Sequence, residues 1–234
     1  MTTASPQPRG EPVANTSPAD RPRRQHYTGR YVELHPVEPE ADVTELYKNS
    51  HDDDRIWTYL GYGPFQDPGA MLTWLKTCQA STDPLFLTVT AKDLDERVGV
   101  VSFLNIVPTM RTVELGHIWY APLVQRTRVN TEVIYLMLVE AFDALNYRRV
   151  EWKCDSLNAR SRTAALRLGF SFEGIFKQHM IIKGRNRDTA WFALLDKDWP
   201  VVKHNMETWL SAEAGSLSLG QLNQPLLRAT GEGM

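Results

Sequence analysis

Apolar residues recur at two spacings along this chain, and the order in which those spacings alternate defines its class. Residues 29–37 alternate with the period of two expected of a strand, Tyr31, Val32 and Leu34 being the apolar members. Residues 41–49 follow as a short helix, and after a break at 64–67 residues 68–80 carry Met71, Leu72, Trp74 and Leu75 at helical spacing. Residues 85–90 and 98–106 read as strands of one hairpin, joined by the polar turn Asp93-Leu94-Asp95-Glu96. A turn at 108–111 leads into a third strand, 112–120. There Val113, Leu115, His117 and Trp119 alternate with Glu114, Gly116 and Ile118 until Pro122 ends the run.

The second half is built from longer periods. Thr131 is placed to cap a helix running to about Leu145, with Glu132 in its first turn to complement the helix dipole and Ile134, Leu138, Ala141 and Leu145 along one face. Residues 148–155 read as a strand, and 158–168 as a helix closed by Gly169. Residues 174–183 and 188–195 form a hairpin turned at Gly184-Arg185-Asn186, and 199–210 a last helix burying Val202, Met206, Trp209 and Leu210. The order β-α-α-β-β-β-α-β-α-β-β-α predicts a single α/β domain over residues 29–211, a mixed sheet with helices on both faces. Residues 1–28 hold five prolines among small and polar residues, too little apolar surface to offset ordering entropy, so a disordered tail is expected. Residues 212–234 lack a firm period and read as a loosely ordered tail with room for a short docked helix.

Composition narrows the function classes. A net charge of -2 argues against a dedicated nucleic-acid binder. Arg148, Arg149, Lys153, Arg160, Arg162 and Arg167 do cluster in sequence, but over a strand and a helix with acidic neighbours. No run approaches the ~18 apolar residues of a membrane helix, and the N-terminus lacks a signal-peptide layout, so a cytoplasmic protein without membrane attachment is expected. Cys78 and Cys154 have no metal-ligand spacing, and reduced thiols are expected of them. No metal is expected. Gly-x-Ser-x-Gly and the Gly-Lys-Ser/Thr phosphate loop are also missing.

Chemistry concentrates around the predicted strand–loop–helix unit at 112–145. A helix N-terminus offers unpaired N–H groups and partial positive charge, which suits a pyrophosphate, and the loop before it adds Gln125, Arg126 and Arg128. The following unit runs Val150-Glu-Trp-Lys-Cys-Asp-Ser-Leu-Asn158-Ala-Arg-Ser161, then Ala164-Ala165-Leu-Arg-Leu168-Gly169-Phe170. Together with Glu173-Gly174, Gly184, Arg185 and Asp188, this resembles the GNAT superfamily of N-acetyltransferases, in its ribosomal-protein N-terminal and spermidine acetyltransferase-like branch.

The resemblance covers roughly residues 29–210 and implies a splayed central strand pair with the pantetheine arm of acetyl-CoA, the co-substrate, in the gap. By the same resemblance Ile118, Trp119 and Tyr120 would offer backbone partners to pantetheine. Gln125, Arg126, Thr127, Arg128, Val129, Asn130 and Thr131 would hold the pyrophosphate, and Asn158 the arm near the thioester. Ser161 matches a residue held to protonate the departing thiolate. The acceptor would be a peptide N-terminus or a small amine, the early aromatics Trp57, Tyr59, Tyr62, Phe65 and Trp74 would sit in one wall of its site, and a homodimer is implied by analogy.

Two features depart from the family pattern. Its phosphate loop, Q/R-x-x-G-x-G/A, uses glycines for close backbone approach, where this chain has Arg128 and Asn130. Many members carry a tyrosine acid three residues before Leu-Gly-Phe, where this chain has Ala165, which leaves Ser161 as the acid. For the base, Glu114 ranks first and His117, His179 and Asp188 follow; strand alternation sets Glu114 and His117 on opposite faces. The alternative is a catalytically weak or inactive binding module on the same scaffold.

Overall fold

The structure, a computed structural model, describes residues 7–212 and 217–229, which build one eight-stranded sheet flanked by helices. In chain order the strands are β1 (Tyr27–Thr28), β2 (Val32–Pro36), β3 (Leu85–Ala91), β4 (Glu96–Val107), β5 (Thr112–Tyr120), β6 (Arg149–Asp155), β7 (Ser171–Ile182) and β8 (Arg185–Leu195). The helices are α1 (Pro39–Lys48), α2 (Pro68–Ala80), α3 (Val129–Val139), α4 (Ala159–Arg167), α5 (Trp199–Ser211) and α6 (Leu219–Ala229). Across the sheet the order is β1-β2-β3-β4-β5-β6-β8-β7, and every neighbouring pair is antiparallel except β5 with β6.

Alternation along the strands sorts the core into two layers. Leu85, Leu87 and Val89 of β3 face the layer formed by α3, α4, α5 and α6, with Ile134, Leu138, Leu168 and Val202. Phe86 and Val100 point the other way, against Leu46 of α1, Met71 and Leu75 of α2, and Trp57. Gly169, at φ +94°, ends α4 in a conformation that only glycine adopts cheaply, and Phe170 follows it into the core.

Two features of β5 create the site. It pairs with β6 only from Thr112 to Leu115, opposite Arg149 to Trp152, after which the two strands part. Each keeps its other neighbour, β4 or β8, so the opening leaves two backbone edges facing a gap. The β4–β5 register also slips, so that His117 and Ile118 of β5 lie opposite Val101, with His117 at φ +52°. This is a β-bulge. It resets the alternation, so the expectation that Glu114 and His117 lie on opposite faces is corrected: both line the same cleft.

Helix α3 begins at Val129, with Arg128 in the N-cap position, so Thr131 is not the cap; its hydroxyl accepts from Arg167 Nη1 at 2.9 Å instead. Glu132 does not serve mainly as a dipole partner either. Its carboxylate is buried and accepts from the backbone N–H groups of Arg30 (2.8 Å), Tyr31 (2.6 Å) and Val32 (2.9 Å), fastening the entry of β2 to α3. The last helical turn, Glu140–Ala144, widens to π geometry.

The termini differ from the sequence expectation. Residues 19–28 are ordered by apolar contact and by hydrogen bonds to open carbonyl groups together: Ala19 and Tyr27 pack against the core and Pro22 is buried. Ala19 N–H donates to Pro108 O (3.0 Å), Arg24 reaches Gln79 O and Ser81 O (2.5 and 2.6 Å), and β1 pairs with β2. Residues 1–6 of the expected tail lie outside the described residues. Of 212–234, residues 219–229 form α6, which buries Leu219 and Asn223 against α4 and α5; 213–216 and 230–234 lie outside the described residues. No helix among the described residues is long and apolar enough to cross a membrane.

Candidate active site

The parted strands open into a cleft of about 1700 Å³, larger than the roughly 300–1,000 Å³ of ordinary small-molecule pockets. It has room for two reactants end to end. Glu114 lies where the gap begins, 5 % exposed. Its Oε2 accepts from Asn105 Nδ2 at 2.6 Å and pairs with Lys153 Nζ at 2.9 Å. Lys153 comes from β6, reaches Glu151 at 2.8 Å as well, and lies over the Trp191 ring at 3.9 Å. Burial raises the pKa of Glu114, and the Lys153 ammonium partly offsets this. At Glu151 burial pulls upward too, but the bonds from Lys153 and Arg149 prevail and hold it low.

Opposite stands the start of α4. Asn158 caps the helix, its Oδ1 accepting from Ser161 N–H at 3.1 Å, which leaves its amide N–H groups for the cleft it lines. Ser161 Oγ accepts from Trp152 Nε1 at 2.9 Å, and its hydroxyl also hydrogen-bonds the Cys154 sulfur beside it. Ala165 is wholly buried beneath, where no side chain reaches the cleft. Cys154 lies beside Ser161, a free buried thiol whose pKa burial raises; Cys78 is likewise free.

At the other end, the loop before α3 divides. Gln125, Arg126, Thr127 and Asn130 line the cleft, as do Ile118, Trp119 and Tyr120 of the free β5 edge. Arg128, Val129 and Thr131 do not. The Arg128 guanidinium donates to Tyr31 Oη (2.7 Å), Leu210 O (2.6 Å) and Ala212 O (2.5 Å), closing the C-terminus of α5 and lying over Trp209. Its backbone is ordinary right-handed helix (φ -76°, ψ -15°), so the missing glycine costs no strain here, and the mouth stays clear of its side chain. Asn130 Oδ1 and Tyr120 Oη are buried polar atoms lining the cleft without a partner among the described residues. A ligand with hydrogen-bonding groups fits them.

Arg167 was not singled out for this site by sequence. It lines the cleft beside the α3 N-terminus, packed against Trp209, and burial lowers its pKa. The signal was there: Ser161, Ala164 and Arg167 are three apart on one helical face.

The remaining candidate bases part company. Asp188 does not line the cleft; it accepts from Gln178 N–H (2.8 Å), Asn186 Nδ2 (3.0 Å) and Lys177 Nζ (3.1 Å), which hold its carboxyl down at about 2. Those bonds stitch a bulge in β7 that carries His179 into the cleft, its Nδ1 3.0 Å from Thr189 Oγ1. His117 stacks on Tyr62 and packs against Phe86, and burial, aided by Arg187, pulls its pKa down to about 4. Such an imidazole is neutral at pH 7 but a weak base. Of the five early aromatics only Tyr59 lines the cleft; Trp57, Tyr62, Phe65 and Trp74 stack on one another in the core. Among the described residues no cluster of His, Cys, Asp and Glu is arranged to hold a metal.

His117 makes stability depend on pH. Its depressed folded value means the unfolded chain binds the proton first, so stability present above about pH 6.5 is lost as pH falls towards 4. The group contributes a loss of about 2 kcal/mol between pH 7 and pH 5. Urea titrations at both pH values should show this difference in the unaltered chain and its absence in H117Q; equal slopes in the two would refute it.

Comparison with known proteins decides the family. The profile described as the acetyltransferase (GNAT) domain matches residues 32–171, more than half of the chain. The chain belongs to the GNAT acetyltransferases. A GCN5-related N-acetyltransferase from Brucella melitensis, known from its crystal structure, superposes with a TM-score of 0.87 at 37 % identity, over 91 % of this chain and all of that one. The ribosomal-protein-serine acetyltransferase of Escherichia coli is 30 % identical over 99 residues, 42 % of this chain and 55 % of the relative. The chain thus spans about half the length of the curated relatives it matches. The microcin C7 self-immunity acetyltransferase, solved in complex with acetyl-CoA and AMP, superposes with a TM-score of 0.64 at 22 % identity over 71 % of this chain and 93 % of that one, a likeness of fold.

Proposed function

We propose that this GNAT protein moves an acetyl group from acetyl-CoA to a primary amine by direct attack, without a covalent enzyme intermediate. The observation that carries the reading is the opening of the β5–β6 pair beyond Leu115 and Trp152, with a helix N-terminus at one end and a buried carboxylate at the other. The free edge at Ile118, Trp119 and Tyr120 suits an extended amide-bearing arm. Gln125, Arg126, Thr127, Asn130 and the α3 N-terminus suit its phosphates, with Arg167 beside them. The known complex of the fold relative with acetyl-CoA supports the same choice of donor.

The thioester supplies an activated acyl group; the side chains supply proton transfer and alignment. Glu114, whose pKa burial raises against the opposing pull of Lys153, takes the amine proton directly or through a water. Ser161, whose oxygen is occupied by Trp152 Nε1, donates its proton to the leaving sulfur, and Asn158 holds the arm beside it. The relatives act on more than one acceptor class by name, a ribosomal-protein serine among them. An amine is favoured here because a buried carboxylate base stands at the gap.

Acetyl-CoA and CoA should each raise the unfolding midpoint at millimolar concentration, and calorimetry should record saturable binding. Folded protein that takes up neither would refute the assignment. Thiol release with an amine, abolished in S161A or E114Q, separates an enzyme from a binding module on the same scaffold.

A further inference from the structure

The acceptor end of the cleft is walled by residues 55–56 and 58–61 and by the β7–β8 hairpin, and its charges are unevenly matched. Lys153 has two carboxylates, and Arg55 has Asp53 at 2.7 Å. Arg187, half-buried on β8, has no carboxylate within 4 Å among the described residues. Its Nε donates to Thr189 Oγ1 at 3.1 Å, and Thr189 is fully buried and engaged by His179 on the same oxygen. The hydroxyl therefore fixes the guanidinium plane while both Nη groups keep their donors. A guanidinium taken partly out of water without a counter-ion is costly, and a bidentate anion removes that cost. The same charge also opposes a second ammonium in the acceptor.

The outer wall is continuous. Tyr59 Oη donates to Leu157 O at 3.2 Å across the cleft, and Lys183 Nζ to Trp57 O at 2.8 Å, tying the segment that holds Trp57 and Tyr59 to the turn before α4 and to the hairpin. Apolar side chains of Ile56, Leu60, Leu104, Met180 and Ile182 line the space between.

We infer that the acceptor is a small amine carrying a carboxylate or phosphate, which docks on Arg187 and so presents its nitrogen to Glu114. This rests on the acetyl-transfer reading above. The test is thiol release at saturating acetyl-CoA with β-alanine, O-phosphoethanolamine, ethanolamine, putrescine and a serine-initiated hexapeptide. The acid-bearing small amines should exceed ethanolamine and putrescine at least tenfold in kcat/KM, and the preferred anion distinguishes a carboxylate from a phosphate fork. R187Q should raise KM for those acceptors roughly ten- to hundredfold more than it changes KM for ethanolamine, and R187K should recover part of the loss. Preference for putrescine or for the hexapeptide, or an R187Q loss equal across all amines, overturns the inference and leaves acetyl transfer standing. Failure to bind acetyl-CoA fells the acetyl-transfer reading and the inference together. The panel on the unaltered chain stands even if R187Q does not fold.

Discussion

Replacing Glu132 by alanine is expected to destabilise the folded chain by about 3–5 kcal/mol. Its carboxylate is buried and accepts three consecutive backbone N–H groups at the start of β2, an arrangement stronger than ordinary neutral hydrogen bonds. Without it the donors of Arg30, Tyr31 and Val32 lose this partner, and the Val32 N–H, the one of the three whose bond is buried, costs about 1–3 kcal/mol if left unmet. E132Q should lose less, because an amide oxygen can still accept some of these bonds. Gly29 belongs to the same device: an added Cβ would lie 2.5 Å from Glu132 Cδ, so G29A should be destabilising too. Denaturant midpoints for the three variants check the order E132A, then E132Q, both below the unaltered chain. An E132A midpoint within experimental error of the unaltered one would refute this role.

The second large effect concerns the reaction. E114Q should lower kcat/KM for the acceptor amine by about a hundredfold or more, as expected when a general base is lost, while leaving acetyl-CoA binding in place. Lys153 should act through Glu114. Its ammonium opposes the upward pull of burial on that carboxylate, so K153M should move the acidic limb of the pH–rate profile to higher pH. The sign follows from removing a cation bonded to a buried acid: the carboxyl then gives up its proton later. A K153M profile that fell uniformly at all pH values would mark Lys153 as structural only, and an E114Q enzyme with unchanged kcat/KM would remove Glu114 from the mechanism.

Local signals carried far in this chain. The strand at Thr112–Tyr120 was legible to the residue because β-branched and aromatic residues alternate until a proline stops them. The helix at Ala159–Arg167 was legible from its Asn158 cap and its Gly169 stop, both side-chain or backbone devices acting within one turn. The choice of Ser161, Asn158 and Glu114 also came from sequence, and all three line the cleft.

Other features had no local signature. A bulge depends on the register between two strands, and register depends on partners far along the chain; hence the face of His117 could not be read from alternation. Arg128 stood in a phosphate-loop pattern, yet its guanidinium found the carbonyl groups of Leu210 and Ala212, more than eighty residues away, at lower cost than leaving them open. Arg167 and Arg187 reach the cleft from opposite sides, one on a helix and one on a strand.

The sequence by itself determined the class of the domain and, β1 and α6 apart, the order of its elements, because periodicity, caps and breakers are set by neighbours a few residues apart; the family came from the resemblance of its motifs around Asn158 to Phe170. It also placed a carboxylate, a hydroxyl and a carboxamide on elements that converge. Only the tertiary structure decided where β5 leaves β6, which loop residues face the mouth, and which cations remain without a counter-ion. These are properties of contacts between distant segments, and the hydrogen-bonding demand of buried groups, met or unmet, settles them.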